Sequence, residues 1–354
     1  MAISQAIAPG GVAASGRWII SPADDLVWFI GSVMASYGLL GLAHLGVSPF
    51  TLLLAWAIIF DGTHFFATLS RTYFDTEERQ LHPRLLWGSL AFFGLGPALY
   101  LAGYGNLFFS FAALWAYYHL VKQQYGFMVL YKNKNHDLAR LDNAIDRVFL
   151  ALALWYPFAH FMLANMATRH SGLFNVGSFG PVLEEMLWWG SAASAGAFAA
   201  RQLQKLWRGE PLNAPKQLLL AAAIPMHWTV FAMVRRDAFG YMLATPALTI
   251  FHNIQYHRLI WFHNRNKYEA ADAAQRHGWA TVISHRFTIY AAVAAVFTLA
   301  YQVPRYLLFP SDGWLASLFW GYTFIHYFLD GQIWRVRHDA RLSTDLRMVE
   351  SYTG

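Results

Sequence analysis

Five histidines lie at similar depth within four strongly apolar segments of the sequence. A polar group buried in hydrocarbon without a partner costs several kcal/mol, roughly 2 to 7, so buried imidazoles are expected to have partners. Neutral imidazole is also the commonest metal ligand among side chains. The pattern therefore predicts a metal site built from several helices. The candidate ligands are His64, His119, His252, His257 and His326.

Two carboxylates stand at helical spacing from these histidines. Asp61 precedes His64 by three residues, and Asp330 follows His326 by four. On a helix of about 3.6 residues per turn, each pair shares a face. A ligating histidine usually gives its other ring proton to a carboxylate, a carbonyl or water. We expect Asp61 and Asp330 to orient a histidine or to complete the site, and we assign both a catalytic role.

The spacing of His252 and His257, in "TIFHNIQYHRLIWF", leaves two alternatives open. Residues five apart point about 140° apart on a regular helix, so a shared ion requires an irregular backbone. A π-bulge would bring both rings onto one face, and such bulges concentrate at functional sites. On a regular helix only one of the two is a ligand, and His252 is the deeper. We take the shared site as the working hypothesis.

The composition places these segments in a membrane. Hydrophobic residues make up 56% of the 354 positions and charged residues only 13%, against about 25% charged in a soluble domain. We predict an all-α, polytopic transmembrane helical bundle of about ten spanning helices. The spans are 26–45, 50–69, 85–104, 106–130, 147–166, 182–200, 217–235, 239–262, 286–303 and 313–334.

Basic residues follow the even-numbered spans, which by the positive-inside rule places both termini in the cytoplasm. The chain then divides into a cytoplasmic segment (1–25), one transmembrane domain (26–334) and a basic cytoplasmic tail (335–354). The same loops account for the net charge of +6, so no nucleic-acid partner is expected. Localisation in the bacterial inner membrane follows. Histidines in or beside these loops are expected to be solvated; they are His82, His136, His263, His277, His285 and His338.

The available donors limit the metal chemistry. The sequence has no cysteine, which excludes thiolate ligands and iron–sulfur clusters. Imidazole with carboxylate or water suits non-haem iron, and also zinc or copper, while two axial histidines would suit haem. The zinc-protease motif HExxH is absent, as are phosphate-cradling and dinucleotide-binding glycine motifs.

Single histidines dispersed over several hydrophobic helices resemble the Brp/Blh family of bacterial β-carotene 15,15'-dioxygenases, which are polytopic enzymes with a histidine-ligated iron. The resemblance lies in this layout and covers no continuous motif. It implies His64, His119, His252 and His257 as iron ligands and retinal as a product. The chain departs from the family pattern at "DGTH", where Asp61 precedes His64 instead of following a His-Gly pair.

These observations predict a membrane metalloenzyme, a non-haem iron oxygenase or dioxygenase. Its partners would be membrane lipid, a lipophilic substrate such as a carotenoid, isoprenoid or fatty chain, and an electron donor. Two other classes remain open. One is a haem-binding electron-transfer protein. The other is a proton-coupled transporter with a relay through Asp61, His64, Lys122 and Asp330.

Overall fold

The computed structural model describes residues 14–164, 179–270, 272–308 and 312–348. This part of the chain is helical apart from one short parallel pair of strands, β1 (Ala14–Ser15) and β2 (Leu212–Asn213). The α-helices are α1 (Pro22–Asp24), α2 (Val33–His44), α3 (Pro49–Trp56), α4 (Gly62–Arg71), α5 (Thr76–Leu81), α6 (Pro83–Ser89), α7 (Phe92–Leu99), α8 (Gly105–Lys134), α9 (Arg140–Ala164), α10 (Phe179–Trp207), α11 (Ala214–Met233), α12 (Ala238–Lys267), α13 (Ala273–His277), α14 (Trp279–Ser284), α15 (Phe287–Val303), α16 (Gly313–Ile333) and α17 (Ala340–Asp345). Turns of π-helix occupy Asp25–Ile30, Ala57–Asp61, Tyr100–Tyr104 and Pro304–Leu308.

Five helical segments within the described ranges are long and apolar enough to cross a membrane, as an integral membrane protein requires. They are Pro22–His44, Pro49–Arg71, Pro83–Lys134, Arg140–Ala164 and Phe287–Leu307. Helices also occupy the other predicted spans, at α10, α11, α12 and α16. Two of these, α12 and α16, carry the candidate polar residues, which lowers their hydropathy. The helical class is thus confirmed, while the number of ten spans and the cytoplasmic termini stay predictions.

The segment Pro83–Lys134 combines two of the predicted spans. Gly103 divides it with φ of 84°, a left-handed conformation that glycine adopts without steric cost. On either side of this kink, α7 and α8 both pack against α16. The kink therefore brings a helix that carries a candidate ligand, α8, alongside α16, which carries another.

Two local features position His64 near the start of α4. The π-turn Ala57–Asp61 joins α3 to α4 without a break, so the two run as one continuous helical segment. Gly62 then meets α15 so closely that an added Cβ would lie 2.4 Å from the Thr298 Cγ2 atom. A side chain at this position would push α4 away from α15. The glycine thus allows the close approach that sets the position of His64.

Helix α12 is the central element of the bundle, because it packs on α2, α3, α4, α8 and α11. Its candidate ligand His252 is 3% exposed. Most of the buried apolar side chains around α12 belong to one cluster that also includes α8, α9 and α11. The candidate site therefore lies on packed helices, which hold side chains more precisely than loops do.

The basic loops meet at one end of the bundle. Asp137, between α8 and α9, pairs with Lys205 of α10 at 3.0 Å and with Lys216 of α11 at 2.7 Å. Lys267, at the end of α12, pairs with Glu78 of α5 at 2.8 Å. This shared end agrees with the placement of these loops on one side of the membrane.

We predict that this basic end faces the cytoplasm. In the cysteine-free chain, Arg208→Cys and Glu269→Cys should react with a membrane-impermeant thiol reagent only after the cells are permeabilised. Arg235→Cys, an exposed position at the other end, should react in intact cells and serves as the control. Labelling of Arg208→Cys or Glu269→Cys in intact cells would reverse the orientation.

Candidate metal centre

Four of the five candidate histidines meet at one point inside the bundle. His64 comes from α4, His119 from α8, His252 from α12 and His326 from α16, and one ring nitrogen of each lies within 4.8 Å of the others. The Nε2 atoms of His64 and His252 are 3.0 Å apart, and those of His119 and His326 are 3.1 Å apart. All four side chains are buried. This is the one group of metal-ligating side chains of its kind found within the described residues.

The nitrogen distances fit a single directly bound ion. Two imidazole nitrogens about 2.1 Å from one ion lie about 3.0 Å apart at a right angle and about 3.4 Å apart at the tetrahedral angle. The two short distances match the first value. The 4.8 Å limit slightly exceeds the separation of about 4.2 Å for opposite ligands, so binding would draw the rings together by a few tenths of an ångström.

The contact between the Nε2 atoms of His64 and His252 requires either a shared proton or a cation. The Nδ1 atoms of both rings are buried with no hydrogen-bond partner, and an ion bound at the Nε2 atoms would not change this, so only the contact between the Nε2 atoms bears on the metal. If no proton lies between the Nε2 atoms, two lone pairs face each other at 3.0 Å. A cation at the centre removes this repulsion, which is the physical reason for interpreting the cluster as a metal site.

Asp330 acts on His326 through a threonine. The carboxylate accepts hydrogen bonds from the Thr68 hydroxyl at 3.0 Å and from the Tyr256 hydroxyl at 2.7 Å. The Thr68 oxygen lies 2.7 Å from Nδ1 of His326. With its own proton given to Asp330, Thr68 must accept from Nδ1–H, which leaves the Nε2 lone pair of His326 facing the cluster. This chain of bonds fixes the tautomer that a metal ligand needs.

Asp61 has a different environment from the one expected. Its carboxylate accepts a hydrogen bond from the Gln302 amide at 3.2 Å, and no hydrogen bond or ion pair joins it to a histidine in the described part of the chain. The spacing argument assumed a regular helix, whereas Asp61 ends a π-turn. The structure therefore gives an orienting contact to Asp330 and none to Asp61.

His257 lies outside the group of four. Helix α12 is regular through both histidines, so the π-bulge favoured for this stretch is wrong. The His257 ring turns toward α4 and α15, with Nε2 at 3.0 Å from the Thr63 hydroxyl and Nδ1 at 3.4 Å from that of Tyr290. Its ring centroid is 6.1 Å from that of His64. The contacts are those of a hydrogen-bonding residue beside the site.

We predict that His257→Ala keeps its metal. The variant loses two hydrogen bonds of about 1 kcal/mol each, so a modest fall in thermal stability is expected with unchanged metal stoichiometry. Metal analysis and a melting curve on the same sample measure both. His252→Ala is the matched comparison on the same helix. Loss of metal from both variants would return His257 to the ligand set.

The other polar residues of "TIFHNIQYHRLIWF" connect helices. Gln255 accepts from the Gln124 amide at 2.8 Å and donates to the carbonyl of Phe29 at 2.7 Å. Tyr256 belongs to the Asp330 network. Sequence reasoning did not identify Thr68 or Tyr256 as functional, because an isolated Thr or Tyr in an apolar helix carries no distinctive signal.

Two histidines expected to be solvated are buried at the basic end. His263 is 1% exposed, and His277 is 3% exposed with Nδ1 at 3.1 Å from the Asp75 carboxylate. Burial raises the pKa of Asp75, but the Lys267 ammonium and His277 outweigh it and hold that pKa below its usual range. The expectation was wrong because the short helices α5, α13 and α17 cover this end.

A cavity of about 560 Å³ adjoins the cluster. His119, Tyr256 and Asp330 form part of its wall. The Tyr327 ring stacks on His119 with centroids 4.3 Å apart, and it also lines the cavity. A molecule in the cavity can thus reach one of the four histidines and the hydrogen-bond network of another. The volume lies within the usual range for small-molecule sites.

The geometry also bears on the two other classes of function. Neighbouring rings in the cluster have centroids 4.3 to 5.0 Å apart, which leaves no space for a planar macrocycle between axial ligands. The proposed proton relay is not continuous. Asp61 accepts a hydrogen bond from Gln302, and the Lys122 ammonium lies over the Tyr125 ring, 5.3 Å from its centroid. No hydrogen bonds link these groups to His64 within the described residues.

Comparison of the chain with protein-family models, with curated proteins and with solved structures found no significant match.

Proposed function

We propose that the protein is an integral membrane metalloenzyme that binds one non-haem iron ion through His64, His119, His252 and His326. The proposed reaction is oxygen-dependent oxidation or cleavage of a lipophilic substrate, in the cytoplasmic half of a bacterial inner membrane. The observation that supports it is the convergence of four buried histidines from four helices, with one ring nitrogen of each within 4.8 Å of the others. Iron is chosen over zinc and copper because the four neutral nitrogen donors leave positions for oxygen and because the layout resembles iron oxygenases.

When bound, the iron supplies activation of dioxygen. The residues contribute binding, orientation and exclusion of water. Thr68 and Asp330 hold His326 with its Nε2 lone pair toward the ion. Tyr256 keeps its hydroxyl on Asp330 at 2.7 Å and so holds that carboxylate in place at the cavity wall. His119 of α8 faces the cavity, so a lipophilic molecule would reach the site between α8 and α16.

Metal analysis of purified protein tests the proposal. We expect about one iron per chain, no Soret band, and oxygen consumption that depends on a lipophilic substrate. A Soret band would assign the histidines to haem. Stoichiometric zinc without oxygen consumption would assign the site to hydrolysis or to structure. Protein without stoichiometric metal after anaerobic reconstitution with ferrous iron would overturn the metal site.

A further inference from the structure

The cavity beside the metal site has the form of a groove with two chemically different ends. Its lining follows α8 from Trp115 to Asn133, about 27 Å of helix, and α12, α16 and the segment after α16 form the facing wall. At the inner end the lining is aromatic, with Trp115, Tyr118 and Tyr327 around His119. This end suits a hydrocarbon chain.

The other end of the groove, toward the basic end of the bundle, is cationic. Arg335 and Arg337 line it just beyond the end of α16, and Lys122 lines the groove about one helical turn past His119 on α8; all three are exposed. None of the three pairs with a carboxylate in the part of the chain that the structure describes. The contacts they do make leave charge available: Arg335 donates to the carbonyl of Gly331 at 3.1 Å, and Lys122 lies over the Tyr125 ring.

The one acidic side chain in the lining does not neutralise these cations. Asp330 is 8% exposed, and its oxygen is held by Thr68 and Tyr256. A neutral hydrocarbon would fill the inner end and leave three positive charges without a counterion. An amphiphile with a negative head would satisfy both ends, because charge-assisted bonds to Arg and Lys are stronger than neutral ones.

We propose that the substrate is a single-chain amphiphile with an anionic carboxylate head, of the long-chain fatty acid class. The inference rests on the proposed function and names its substrate. The head lies against Arg335, Arg337 and Lys122, and the chain follows the aromatic wall inward. The helix from His326 to Ile333 is about 10 Å long, so the carbon that reaches the metal site lies in the middle of the chain, away from the head.

Equilibrium binding to the metal-free full-length chain in a non-ionic detergent tests this inference. The probes are oleate and oleyl alcohol, which differ only in the charged head. We expect the wild type to bind oleate at least about tenfold more tightly than the alcohol at low salt, with the preference falling as salt rises. Equal affinity for the two probes would overturn the proposal.

Two variants locate the binding site. The triple variant Lys122→Gln, Arg335→Gln, Arg337→Gln should lose the preference for oleate and keep its affinity for the alcohol. The matched control is Arg84→Gln with Arg286→Gln, two exposed cations elsewhere, which should behave as wild type. Unchanged oleate preference in the triple variant would place the acid at another site and overturn the proposal.

The second variant blocks the groove without changing charge. Gly331 lines the groove, and an added Cβ there has no heavy atom within 4 Å, so Gly331→Phe should fill the space and weaken binding of both probes. Gly41→Phe, at an equally open position on α2, is the control. Normal binding by Gly331→Phe would show that the groove is not the site.

A lipid headgroup offers the same anionic chemistry as a fatty acid. Phosphatidylglycerol is therefore added as a competitor, and we expect it to displace oleate poorly, because two chains do not fit one groove. Displacement of oleate by an equal concentration of phosphatidylglycerol would mean that the cations bind membrane lipid, and it would overturn the proposed substrate. Because every binding measurement uses metal-free protein, failure here is distinct from failure of the iron site, which appears in metal content.

Discussion

His252→Ala is expected to abolish stoichiometric iron binding. Removing one partner of a ligating histidine already lowers metal affinity by about 10 to 100-fold, and removing the ligand itself should exceed this. The same result is expected for His64→Ala, His119→Ala and His326→Ala. Metal analysis after reconstitution with ferrous iron measures it. Full iron content in all four variants would overturn the assignment of ligands.

A melting curve separates loss of a ligand from loss of the fold. Added iron should raise the melting temperature of the wild type, because a ligand that binds only the folded state stabilises it. The four variants should not respond. The metal-free variants should fold nearly as well as the metal-free wild type. His252→Ala, for example, also removes the close approach of its Nε2 atom to that of His64 at 3.0 Å. His285→Ala, an exposed position, is the control and should behave as wild type.

Asp330→Asn and Asp61→Asn form the second test, and we expect them to differ. Asp330→Asn weakens the acceptor that holds Thr68, so Nδ1–H of His326 is held less firmly and iron affinity should fall by about 10 to 100-fold. Asp61→Asn changes a contact to Gln302 and should leave iron affinity within about twofold of wild type. The measurement is an iron titration of each purified variant.

Thr68→Val checks the route from Asp330 to the ligand. If the carboxylate acts through the Thr68 hydroxyl, this nearly isosteric change should weaken iron binding as much as Asp330→Asn does, and the double variant should add little. Additive losses would mean that Asp330 acts on the site by another route. Equal losses from Asp61→Asn and Asp330→Asn would contradict the distinction drawn from their contacts.

The sequence could predict which histidines lie at the same depth in the membrane. Apolar segments of membrane length place His64, His119, His252 and His326 at one level, and desolvation limits what imidazole can do there. The direction in which each side chain points around its helix was harder to predict. The π-turn before His64 alters the angle that a 3.6-residue repeat assigns to Asp61, and the regular helix at 252–257 separates two histidines expected together.

The missing contacts are those that join distant segments. Thr68 of α4 meets Tyr256 of α12 and Asp330 of α16, three residues far apart along the chain. No local pattern connects them, since their proximity depends on how α4, α12 and α16 pack. The cationic end of the groove could not be predicted either, because in the sequence Arg335 and Arg337 are indistinguishable from the other residues of a basic tail.

The distribution of the four histidines also has a consequence for biosynthesis. His64 lies in one of the earliest long helices to leave the ribosome and His326 in one of the last, with the other two between them. A nascent chain that stops before α16 holds at most three of the nitrogens. Metal loading would then follow insertion of nearly the whole bundle, and a bound ion would mark chains whose membrane assembly is complete, leaving unfinished ones exposed to quality-control proteases.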